Sequence, residues 1–131
     1  MGYWIFTTFI LLHGLVHMVY TSIALNWVPA PEGWTGISWL FSGPLGAQGT
    51  RNAGALVFTA LTAAFVVLAA GLVFKQIWAS SWLFWVPIAS SLALFVFWDG
   101  SPQDLLTKGF IGILINIGLL VALVIFRYPA I

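Results

Sequence analysis

The sequence predicts an all-α membrane protein, a bundle of four transmembrane helices, and three observations carry that prediction. The 131 residues are 62% hydrophobic and only 5% charged, with a mean hydropathy of +1.08, far outside the range of soluble domains. Four apolar runs, residues 3–27, 53–74, 78–98 and 109–126, are each long enough to cross about 30 Å of hydrocarbon, which takes roughly 20 helical residues. The connections after the second and third runs are short, so these helices run antiparallel, and residues 1–131 read as a single domain. Barrel strands would alternate apolar and polar residues, whereas these runs are continuously apolar and rich in Leu, Ala and Phe.

The first run, Tyr3 to Trp27, holds His13 and His17 in an HGLVH segment near its centre. An imidazole is costly in lipid, so a span that keeps two turns them toward the bundle interior, where such residues mark functional sites. Phe6, Phe9, His13, His17, Tyr20 and Ala24 recur at helical spacing, which places both rings on an aromatic-lined face. Ser22 and Ala24 form a small-x-small pattern of the kind signal peptidases cut. The apolar run is longer than signal-peptide cores and lacks a basic segment before it, so the helix is expected to be retained.

The connection over residues 28–52 is long for a small bundle, and structureless loops beyond about 12–15 residues are commonly functional. Trp34, Ile37 and Phe41 fall at near-helical spacing between Gly33 and Gly43-Pro44. This predicts a short interfacial helix or cap, either anchored by Trp34 and Trp39 at the headgroups or folded as a lid over a cavity.

The second run carries Thr59 and Thr62 beside the small residues Ala55, Ala63 and Ala70. Pro87 removes a backbone hydrogen bond from the third helix next to Ser90 and Ser91. Gly109, Gly112 and Asn116 align on the fourth, where small residues admit a close neighbour and an Asn can bond across the interface. At 1.5 Å per residue from the long-loop side, His17 lies about 15 Å deep, Thr59 and Thr62 about 10–15 Å, and Ser91 and Asn116 about 11 Å. Every helix thus offers a polar group at one level, with His13 one turn deeper. His13, His17 and Asn116 are the candidate reactive groups, and Phe9, Tyr20, Thr59 and Ser91 the candidate lining. Arg51 and Asp99 lie at the mouth above, placed to pair with each other or to gate access. For the Thr and Ser hydroxyls the plain alternative is a bond back to their own helix.

Lys75 and Arg127 share the side of both termini, and Arg51 and Lys108 the opposite side, so the positive-inside rule finds no excess. Glu32, Asp99 and Asp104 all lie on the loop side, which tilts the reading to both termini inside, in an expected bacterial inner membrane. A net charge of +1 gives no field for nucleic acid, and zero Cys excludes thiolate ligands, cysteine nucleophiles and covalent haem attachment.

HGLVH sets two imidazoles at i and i+4 as the zinc helix HExxH does, but Gly14 stands where that motif carries its glutamate base, which excludes a metalloprotease. A metal site needs Asp99, Asn116 or a partner chain to complete its ligands. A bis-histidine haem needs a second subunit, because adjacent turns of one helix cannot reach both faces of the ring. Taken together, LHGLVHMVY, the Arg-bearing GPLGAQGTRNAG, FWDG at the end of the third helix and GILINIG in the fourth resemble small bacterial four-helix membrane proteins with an N-terminal HGLxH segment. A looser likeness, to DoxX-type proteins, is architectural. The resemblance implies the fold and a grouping of His13, His17, Arg51, Asp99 and Asn116, and it brings no activity with it.

Two functions fit this reading. One is binding or processing of an apolar ligand, such as a quinone, isoprenoid or lipid, at a buried His/Asn site. The other is service as an accessory subunit of a larger respiratory or photosynthetic assembly, through a membrane partner or a second copy, contributing a haem, pigment or metal ligand. Too few polar residues are present to line a water-filled channel through one bundle.

Overall fold

The computed structural model describes residues 2–129, which form an all-helical structure with four helices long and apolar enough to span a membrane. Helix α1 is Gly2–Ala24, α2 Ser42–Val73, α3 Trp78–Val96 and α4 Ile111–Val124, the last entered through a π-helical turn at Leu106–Phe110. The helices run alternately up and down. At one end the Tyr3 hydroxyl donates to the Leu72 carbonyl in the last turn of α2, and Phe6 packs edge-on against Tyr128. At the other end the loop after α1 meets the end of α3, where the Trp39 N–H donates to the Trp98 carbonyl at 2.8 Å.

Helix boundaries depart from the apolar runs for local reasons. α1 stops at Ala24 because Asn26 turns left-handed (φ 59°), and the N–H groups of Asn26 and Trp27 bond back to the Ile23 and Ser22 carbonyls, satisfying the end of the helix. Lys75 (φ 50°) closes α2 in the same way, with Gln76 N–H on the Gly71 carbonyl. α2 begins at Ser42, well ahead of Ala53, and is interrupted once at Gly46 (φ 69°), a backbone conformation that favours glycine. From Ala47 to Val73 the helix is about 40 Å long, so its first turns, with Gln48, Arg51 and Asn52, extend past the hydrocarbon.

The segment Trp34–Phe41 is not helical, despite its spacing. It forms a cap pinned to α3: Ser38 Oγ donates to the Val96 carbonyl at 2.6 Å and Trp39 Nε1 to the Phe95 carbonyl at 2.8 Å. These bonds satisfy carbonyls that the last turn of α3 leaves open. Ser38 Oγ also accepts the Leu40 and Phe41 N–H groups at 3.2 and 3.1 Å, which shapes the approach to α2.

Ile10, Phe65, Leu68, Leu72 and Leu83 fill the half of the bundle near the chain ends, and Phe58, Leu61, Ala93 and Leu94 the half near the loops. α1 packs chiefly on α2, and α4 on α3. Gly14 makes the first pairing close, since a Cβ there would collide with the Phe65 side chain. α1 has little close backbone approach to α3 or α4, so its link to them falls to long side chains, and the histidines supply it.

Candidate functional site

Two neighbouring features occupy the middle and the loop end of the bundle. The deeper one is a hydrogen-bonded layer. His13 Nε2 lies 2.8 Å from Asn116 Oδ1, Asn116 Nδ2 donates to Ser90 Oγ at 2.8 Å and to Ser91 Oγ at 3.1 Å, and Ser90 Oγ lies 2.8 Å from His17 Nε2. His17 Nδ1 returns to the His13 carbonyl at 3.2 Å. Asn116 and Ser90 are 0% exposed, His17 2% and His13 6%, so these four have no outside partner, while Ser91 is half-buried at the edge of the layer.

Donor and acceptor roles follow from this closure. A carbonyl only accepts, so His17 Nδ1 carries a proton, and its Nε2, in the neutral ring, accepts from the Ser90 hydroxyl. Ser90 Oγ then accepts from the Asn116 amide, whose oxygen accepts from a protonated His13 Nε2. With the Asn116 amide reversed, Ser90 would donate to the amide oxygen and His17 Nε2 would have to donate as well, making a doubly protonated cation in an apolar interior. The orientation with the amide oxygen on His13 is the one that lets both rings make these bonds as neutral groups. This circuit gives α1 its polar bonds to α3 and α4, beside the apolar packing of Ile10 and Tyr20 in the two core clusters.

Depth accounts for the pairing. Counted from Ala24, His17 is about 10 Å deep and His13 about 16 Å, while Ser90 lies about 9 Å below Val96 and Asn116 about 15 Å below Leu106. Asn116 therefore meets His13, and His17 meets Ser90; the expected match of Asn116 with His17 started the first helix at Trp27 and the fourth at Gly109, three residues from the observed ends at Ala24 and Leu106.

Above the layer, Tyr20 and Phe58 stack at 4.9 Å, each ring about 6 Å from His17. They form the floor of a cavity of about 270 Å³ under the 25–41 loop. Its walls include Ile23, Leu94, Phe97 and Trp98, with Trp34 stacked on Tyr20 at 5.3 Å, and three charged residues: Arg51, Asp99 and Lys108. Trp34 Nε1 and Arg51 Nε are buried with no hydrogen-bond partner among the described residues.

Arg51 and Asp99 both reach this cavity but do not pair. Asp99 is bridged to Lys108 at 2.9 Å, both side chains nearly buried, and also accepts from Thr35 Oγ1 and the Ser101 N–H. Arg51 Nη2 instead donates to Gln48 Oε1, one turn away, at 3.3 Å. The level was right and the partner wrong, because the short α3–α4 connection folds Lys108 back onto Asp99. Burial pushes the Asp99 carboxyl up, but the hydrogen bonds from Lys108, Ser101 and Thr35, with the Lys108 charge, outweigh it and hold it below its usual range.

Of the expected lining residues, only Tyr20 borders the cavity. Phe9 is 43% exposed and stacks on the outer side of His13, because the buried face of α1 is centred on Ile10, Gly14, His17 and Thr21 rather than on the aromatic residues. Thr59 is exposed and lies 3.2 Å from Thr21 Oγ1, Ser91 belongs to the polar layer, and Thr62 bonds back to Phe58. Trp34, expected at the headgroups, turns inward. Lys108 and Phe58 escaped the sequence reading, which named Trp34 only within the cap or lid of the long connection; Lys108 carried a signal, as the cation at the far end of the connection that begins at Asp99.

Among the described residues no three His, Cys, Asp or Glu side chains come together as metal ligands, and Asp99 stays with Lys108 at the loop end, away from the histidines. Asn116 is the one expected co-ligand that does reach a histidine. Comparison with known proteins returns no matching family, no matching curated protein and no matching solved structure.

Proposed function

We propose that this chain is a ligand-binding protein of the bacterial cytoplasmic membrane, and that its loop-end cavity takes an apolar small molecule with a hydrogen-bond-accepting head, in the class of quinones, isoprenoids and lipids. The observation that carries this reading is a largely aromatic and aliphatic cavity of which two wall residues, Trp34 and Arg51, each keep a buried donor, Nε1 and Nε, without a partner among the described residues. An unmet buried donor costs about 1–3 kcal/mol, which an acceptor brought by a ligand recovers. The histidine layer serves this site from below: its closed circuit fixes α1 against α3 and α4, and His17 supports the Tyr20–Phe58 floor. The three acids on the loop side favour both chain ends inside, which turns the cavity toward the outer face.

Tryptophan fluorescence tests the reading. A short-chain quinone added to the protein in nanodiscs should quench in a saturable way, and Trp34→Phe should remove the saturable part. Quenching that rises linearly with quinone in both proteins would mean partition into lipid and no site for a quinone.

A further inference from the structure

We infer that the occupant of this cavity is a single-chain amphiphile with an anionic head, a carboxylate or a phosphate monoester, held by Arg51. The inference rests on the reading of the cavity as a ligand site and goes further by fixing the charge and chain number of the ligand. Among the described residues, Arg51 is the cation of the cavity wall that has no carboxylate partner. Asp99 is taken by Lys108, Thr35 and the Ser101 N–H, so that pair is neutral as a unit. The other loop-side acids, Glu32 and Asp104, line a separate depression with Pro31, Gly33, Gln103 and Thr107. Arg51 is left with one long bond to a neutral amide, from Nη2 to Gln48, while its Nε is buried and empty-handed.

A guanidinium in this state favours an anion over a neutral acceptor, since charge-assisted bonds to oxyanions are the stronger ones. The Trp34 N–H adds a neutral donor, while Lys108, bridged to Asp99, adds no net charge to the site. Size decides the chain number. At about 270 Å³ the cavity lies just below the roughly 300–1,000 Å³ spanned by small-molecule pockets, room for a head and the first part of one chain against Phe58, Leu94 and Phe97, and a second chain would have to stay outside it.

Native mass spectrometry of the protein released from phosphatidylcholine nanodiscs tests this with four ligands of equal chain length: dodecanoate, dodecyl phosphate, dodecanol and dodecyltrimethylammonium. We expect one or both anions to be retained about tenfold more tightly than the alcohol, the step expected of one charge-assisted contact, and the ammonium to be lost. Arg51→Gln should erase the preference for anion over alcohol and Arg51→Lys should keep part of it. The parent series decides the matter alone if a variant fails to fold, and the ranking of carboxylate against phosphate identifies the head. Equal retention of anion and alcohol overturns the anionic head while leaving the cavity a ligand site. Retention of none overturns both, and displacement of the anions by phosphatidylglycerol overturns the single-chain class.

Discussion

Asn116 is the hinge of the buried polar layer, because one amide serves His13 with its oxygen and Ser90 and Ser91 with its nitrogen. Asn116→Leu strands the His13 N–H and leaves Ser90 without its donor, and should cost about 1–2 kcal/mol of stability in detergent. Added to His13→Phe, it should cost less than the sum of the two, read from a double-mutant cycle of thermal unfolding. Asp99 predicts a pH dependence. Its folded pKa lies below the ordinary carboxylate value of about 3.9, so the stability from the Lys108 bridge is complete above that value and is lost as pH falls toward and through the lower folded one. Asp99→Asn should flatten this acid limb of the melting profile and leave its shape near neutrality alone. At this scale the sequence made the histidines and Asn116 legible, since polar groups in an apolar run have nowhere else to bond. It hid the Lys108 partnership, which depends on the fold of the connection, and the inward turn of Trp34, because an indole near a helix end suits an interface equally well.

Among the helices, the α1–α2 contact depends most on a single position. Gly14 rests against Phe65, and even the methyl of Gly14→Ala would meet its Cβ, so this change should push the helices apart and cost about 1–3 kcal/mol. Gly118→Ala in α4, where a Cβ meets nothing within 4 Å, is the matched control and should leave the melting temperature unchanged or slightly raised, since Ala is the better helix former. The number and order of the helices were legible because four runs are too apolar to be anything else. Their ends were not, because an apolar run measures the hydrocarbon and a helix can outgrow it. Ser42–Asn52, rich in Gly and polar residues, reads as loop yet is largely helical, and Leu106–Phe110 begins the fourth helix early through a π turn. That shift carried Asn116 one turn deeper, from His17 to His13.

For the whole molecule, both ends of the described chain lie at one end of the bundle, and the 25–41 and 97–105 connections at the other. With zero native Cys, single cysteines at Gly49 and Ser101 should label from one side of a sealed membrane, and those at Gly2 and Gln76 from the other. The central claim is that the space under the loop is a ligand site resting on the histidine layer. Its most direct test is to purify the chain from native membranes and analyse the small molecules it retains, beside Ala24→Trp, which sets an indole where a methyl lines the cavity. The parent should hold a defined apolar compound near one per chain, and the filled variant should have lost it while still folding and keeping its melting temperature. The same lipid profile in both, with no compound enriched over the bulk membrane, would contradict the claim.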